Sequence, residues 1–189
     1  MELTRDAAWT LLTEYTKGDG LLKHALAVEA AVRGYARTFG EDENGWSVVA
    51  LLHDFDYEQW PSLDDHPYKG VAILERLGYP EWVRRAILSH ADYSGVSRDS
   101  LLEKTLFACD EMAGFVTAAA LVRPSRSVLD LEASSVVKRM KDKAFARAVS
   151  RDDLRAGAEL LDLPLDRHSG NVIGFMREQA DALGLRGTL

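Results

Sequence analysis

Cysteine is all but missing: Cys109 stands alone in 189 residues, so no internal disulfide can form and disulfide-stapled scaffolds are excluded. Long apolar runs are missing too. No stretch of about 18 apolar residues occurs, which excludes a membrane-spanning helix. Positive charge is in deficit, with 23 Lys and Arg against 30 Asp and Glu and a net charge of −7. That balance argues against a large nucleic acid as partner, because such a partner needs a basic footprint. The N-terminal residues carry charges throughout and lack the basic start and apolar middle of an export signal. Together with the lone cysteine, this gives a cytoplasmic location as the expectation. Neither GxGxxG nor a P-loop pattern is present, so a dinucleotide fold and a Walker-type ATPase are unsupported.

What is present is ordinary globular material, 47% hydrophobic and 28% charged, with apolar spacing that is helical almost throughout. The spacing predicts helices over about 5–16, 20–39, 43–53, 66–77, 80–91 and 100–122, then shorter ones over 131–141, 143–149, 151–162 and 168–184. Gly40 and Gly78 suit helix ends, Asp19 and Asp65 suit N-caps, and Pro124 stops the longest helix. With no repeats and no long linker, residues 1–189 read as one all-α domain, with a core over about 18–122 and a helical extension over about 123–189.

The informative residues are histidines and aspartates. Of the five histidines, four lie between 24 and 90, each at a helix end or on an apolar face. Asp110 falls mid-helix on the buried side of the most apolar segment. A buried carboxylate needs hydrogen bonds, a cation or a metal. Imidazole with carboxylate forms an N/O ligand set suited to Fe, Mn, Co, Ni or Zn. Taken singly, each residue has a plain structural explanation: His24 as a core histidine, Asp110 as a cap or ion-pair partner. Their order on separate helices is what carries weight.

That order, His24, then His53-Asp54, then Asp110, resembles the H…HD…D signature of the HD superfamily, an all-helical group of mostly metal-dependent phosphohydrolases. The surrounding KHALAVEAAVRGYA, VVALLHDFDYE and LLEKTLFACDEMAGF segments resemble its ligand-bearing helices, and the likeness spans about residues 18–118. The chain also resembles a branch of uncharacterised, predicted HD hydrolases. The resemblance implies an HD-type helical bundle in which His24, His53, Asp54 and Asp110 bind metal. His66 and His90 bracket a predicted helical hairpin turning at Leu77–Pro80, which returns both to one side of the molecule. Binuclear branches show the order H…HD…H…H…D, and His66 and His90 supply its middle members, with Asp54 as the bridge. The resemblance therefore implies one or two divalent ions, Fe or Mn favoured, with Co, Ni, Zn or Mg admissible. The HD-GYP phosphodiesterases differ, because Ser89-His90 replaces their paired histidines and the GYP-type motif is absent.

Metal-assisted hydrolysis of a small phosphorylated substrate, a nucleotide above all, is the activity implied. Asp56 and Glu58, on the turn after the ligand pair, are candidates to orient water or move a proton. Lys69, Arg123, Lys138, Lys141 and Lys143 are candidates to bind phosphate, the last three in a basic cluster with Arg139 and Arg147. Phe55, Tyr57, Trp60, Tyr68 and Tyr93 could stack on a base or belong to the core. Two rival readings stay open: a di-iron oxygenase of the same superfamily, and a non-catalytic metal- or nucleotide-binding module. His168, between Pro164 and Gly170, reads as a surface or capping residue, and Cys109 as a small buried apolar one. Trp60 and Trp82 near loops are compatible with a homodimer.

Overall fold

A computed structural model describes residues 3–188, and among these every regular element is helical. Helix α1 (Arg5–Tyr15) starts where Thr4 accepts a hydrogen bond from Ala7 N. Helix α2 (Asp19–Phe39) ends at Gly40, whose φ of +74° glycine adopts without strain. Helix α3 (Glu43–Leu52) is capped by Asp42 and buried from Gly45 to its end. Helices α4 (Tyr68–Arg76) and α5 (Glu81–His90) form the expected hairpin, turning at Gly78. Helix α6 (Leu101–Leu121) opens with a reciprocal capping box between Ser100 and Glu103. Helices α7 (Ala133–Arg139), α8 (Arg151–Leu160) and α9 (Leu165–Arg177) follow. No described helix is long and apolar enough to cross a membrane.

Helix α2 packs between α3 and α6. Helices α5 and α8 lie on α6, and α9 closes over α2 and α7. A continuous set of buried apolar side chains runs from Ala8 to Leu185, so the C-terminal residues contribute to the same core as the ligand-bearing helices. Helix α8 comes so close to α6 that a β-carbon on Gly157 would sit 2.7 Å from Ala108 Cα. Only a glycine permits that approach.

Several boundaries differ from expectation for identifiable reasons. Pro67 occupies the N-cap position of α4, which moves its start to Tyr68, and Asp65 contributes a backbone carbonyl to Lys69 N rather than a side-chain cap. The N-cap of α2 is Gly18, and Asp19 falls in the first turn, where it pairs with Lys23 at 2.7 Å. The stretch 143–149 is a run of turns, not a helix. The Arg151 guanidinium draws in the carbonyls of Asp142, Phe145, Ala146 and Val149, and Ala146 takes a positive φ of 42°. Carbonyls turned toward a guanidinium are lost to a helical ladder. The last helix begins at Leu165, directly after Pro164, and gives way to turns after Arg177.

Candidate metal centre

The six histidine and aspartate residues singled out by the sequence meet in one cleft. His24 comes from the first third of α2. His53 caps the C-terminal end of α3, with Asp54 next to it. His66 precedes α4 and His90 ends α5, so the hairpin brings their rings to a centroid separation of 5.3 Å. Asp110 projects from the middle of α6.

Their atoms are arranged around the two oxygens of Asp54. Oδ2 lies 3.4 Å from His53 Nε2 and 3.9 Å from His24 Nε2. Asp110 Oδ1 completes that group, 3.0 Å from His24 Nε2 and 3.5 Å from His53 Nε2. Oδ1 of Asp54 faces the other way, 3.2 Å from His66 Nε2 and 3.3 Å from His90 Nε2. Two donor atoms bound about 2.0–2.1 Å from one ion, at about 90–110°, sit roughly 2.8–3.4 Å apart. All but the widest of these spacings fall at or within 0.1 Å of that range.

The hydrogen bonds behind the rings fix which nitrogen is free. His53 Nδ1 contacts Ala50 O at 2.8 Å, and His90 Nδ1 contacts Ile87 O at 2.5 Å. A carbonyl only accepts, so each Nδ1 carries its hydrogen and each Nε2 presents a lone pair to the cleft. His66 Nδ1 donates in the same way to Asp56 Oδ1 at 2.7 Å. An imidazole lone pair opposite a carboxylate oxygen requires something positive between them, a proton or a metal. His53 Nε2 is buried without any hydrogen-bond partner. The residues therefore form two groups that could each hold a metal ion, His24 with His53 and Asp54, and Asp54 with His66 and His90.

The electrostatics carry the same demand. Burial works against charge on His53, but Asp54 and Asp110 outweigh it and hold the ring well above the ordinary imidazole value. Burial likewise opposes charge on His66, and Asp54 and Asp56 still raise it to about 9. Asp54 is held well below the usual carboxylate range, because three imidazoles, His53 first and then His66 and His90, overcome its burial. Asp110 is also lowered, by His53 and His24 against burial. Each shift has the same cause: imidazoles and carboxylates that face one another stabilise each other's charged forms.

Other expected site residues lie elsewhere. Asp56 is fully buried, and its two oxygens accept from His66 Nδ1 and from Gly70 N at 2.7 Å. Both are committed, so Asp56 positions His66 and is not placed to take a proton from water. Glu58 accepts from Lys17 N at 2.7 Å and Gly18 N at 3.0 Å, capping α2 from a distance. Lys69 is exposed, 3.7 Å from Asp65. Arg123 forms a two-point pair with Asp130 at 3.0 and 2.8 Å, beyond the end of α6. Lys138 is exposed on α7, while Lys141 and Lys143 line a separate hollow. None of these side chains lines the cleft. His168, expected at the surface, is wholly buried: Nε2 donates to Ala108 O at 2.8 Å, and Nδ1 accepts from the Tyr35 hydroxyl at 2.6 Å. Cys109 is buried as expected.

The cleft encloses about 640 Å3. Tyr57, Leu63, Tyr93 and Phe107 line it together with Glu111, Ala148, Val149 and Asp153. Phe55 belongs to the core instead. Burial, then Asp110, pushes Glu111 up to about 7, against a hydrogen bond from Ser150 N at 3.2 Å. Sequence reasoning missed Glu111, although it adjoins Asp110. It also missed the wall given by residues 148–153, because no periodicity shows which helix α8 will cover.

The family model for the HD domain matches residues 21–114. No curated protein and no solved structure matches the chain.

Proposed function

Because the chain belongs to the HD superfamily, we propose that it is a binuclear, metal-dependent phosphohydrolase acting on a small phosphoester or phosphoanhydride, a nucleotide among the candidates. The observation that carries this reading is the division of labour at Asp54. One oxygen faces His24, His53 and Asp110, and the other faces His66 and His90.

In this reading His24, His53 and Asp110 would hold one divalent ion and His66 and His90 a second, with one Asp54 oxygen facing each group. Iron or manganese suits the four-imidazole, two-carboxylate set, and cobalt, nickel, zinc or magnesium is admissible. Bound ions of this kind supply hydroxide near neutral pH and draw charge from a phosphate oxygen. The protein supplies orientation. Carbonyls of Ala50 and Ile87 and the Asp56 carboxylate lock three rings with Nε2 inward, an arrangement that raises ligand basicity. Tyr57 and Tyr93, both partly exposed beside His66, offer faces for the organic part of a substrate.

The test is metal content per chain on protein purified without chelator, together with phosphate release from a panel of phosphate esters. Two ions in wild type, one in His66→Ala or His90→Ala, and metal-dependent phosphate release support the reading. Iron with oxygen consumption and no phosphate release would replace it with an oxygenase. Metal without turnover of either kind would leave a binding module.

A further inference from the structure

Among the described residues, the cleft walls contain no lysine or arginine, although the proposed substrate is an anion. Arg98, close to the outer lip, is spent: it pairs with Asp92, stacks on Phe107 at 3.6 Å and reaches the His90 carbonyl. Free positive charge gathers instead in a neighbouring hollow of about 530 Å3, lined by Lys141, Lys143, Arg147, Arg151 and Arg155 with a single acid, Asp152. Val149 lines both spaces, so they adjoin.

The cations of the hollow have distinct tasks. Arg151 is a scaffold, its guanidinium holding four carbonyls of residues 142–149. Arg155 pairs with Asp152 at 3.0 Å. Lys141, Lys143 and Arg147 make no ion pair among the described residues; Lys143 and Arg147 stand on the stretch that Arg151 folds into turns, and Lys141 directly precedes it. In a chain of net −7, three such cations on one built loop form a local field opposite to the global one, which is what an anionic group seeks.

We propose that this hollow is an anion site for a second anionic group of the substrate. The preferred substrates then carry two anionic groups, such as a bisphosphate, one over the metal ligands and one beyond Val149. The placement of the first group rests on the phosphohydrolase reading, whereas the anion site itself does not.

The experiment uses the full chain in two states. Stripped of metal by chelator, wild type should bind inorganic tripolyphosphate in calorimetry, more weakly as salt rises. A Lys141→Ala, Lys143→Ala, Arg147→Ala triple variant should lose at least about tenfold in affinity, while exchange of both lysines for arginine keeps it. Equal binding by wild type and triple variant, or binding by neither, overturns the site. With metal restored, the triple variant should keep its metal content and its rate on a phosphomonoester. Its preference for a bisphosphate over that monoester should fall about tenfold. An unchanged preference overturns the two-anion substrate. Tripolyphosphate binding that depends on the three cations, without hydrolysis of any ester, would support the anion site and remove the phosphohydrolase reading instead.

Discussion

Asp56 and His66 are joined by a 2.7 Å hydrogen bond beneath the centre, and Gly70 N holds the other Asp56 oxygen at the same distance. The pair is buried, so neither side chain has water as an alternative partner. Asp56→Asn should keep the shape but weaken the acceptor to Nδ1–H. Loss of a partner behind a metal-bound imidazole typically costs about 10–100-fold in metal affinity. Metal titration should therefore show one weakened ion and one unaffected. Equal weakening of both would contradict the assignment of His66 to a separate ion.

Gly70→Ala tests the same contact from the other side. A β-carbon there would lie 2.8 Å from Asp56 Cγ, forcing the carboxylate away from His66. The expected outcome is about 1–3 kcal/mol of destabilisation from overpacking, read by denaturant unfolding, together with the same loss of one ion. A fully stable variant with normal metal content would show that the turn adjusts freely.

His168 sets a pH dependence. Burial lowers its pKa, and the Ala108 carbonyl only partly opposes this, so the folded state keeps the ring neutral as acid is added. The unfolded chain takes up a proton below about 6.5. Protons then favour the unfolded state, and this contribution is absent above that value and destabilising as pH falls below it. His168→Gln should cost about 1–3 kcal/mol at pH 7 through the Tyr35 and Ala108 bonds, and the gap to wild type should narrow toward pH 5. A gap that widens in acid would reverse the assignment.

Arg151 gives a prediction confined to one loop. Removing its side chain frees four carbonyls and uncovers the Phe115 ring, over which the guanidinium lies at 4.6 Å. In Arg151→Ala, amide exchange and proteolysis should accelerate over residues 142–149, while metal content stays at the wild-type level. Arg151→Lys should not restore protection, because an ammonium lacks the planar fork that spans several acceptors. Rescue by lysine would show that charge alone shapes the loop.

The cluster of candidate metal residues was legible because each lies on, or within two residues of, a helix whose apolar period fixes its phase. His24 shares a face with Val28 and Tyr35, and the α4–α5 hairpin had to return His66 and His90 together. What failed was direction. Asp56 and Glu58 are two residues apart on one turn, yet one supports a ligand from behind and the other caps α2 at Gly18. Spacing does not encode which way an acid on a turn will face. His168 was misplaced for a related reason: its partners, Tyr35 and Ala108, are 133 and 60 residues away. The helix expected over 143–149 had acceptable local propensity, and Arg151 overrode it by claiming the carbonyls.

The close approach that Gly157 permits at Ala108, where a β-carbon would lie 2.7 Å from Cα, bears on how this protein can be dissected. The family match ends at residue 114, which invites a shortened fragment stopping near the end of α6. Such a cut would remove Gly157 and His168, both of which meet α6 at Ala108, two residues before Asp110. It would also strip Phe145 and Arg151 from Phe115. The fragment would keep every candidate metal-ligating side chain and lose the cover of the helix that carries one of them. Its solubility, and not its ligand count, would be the first thing to fail.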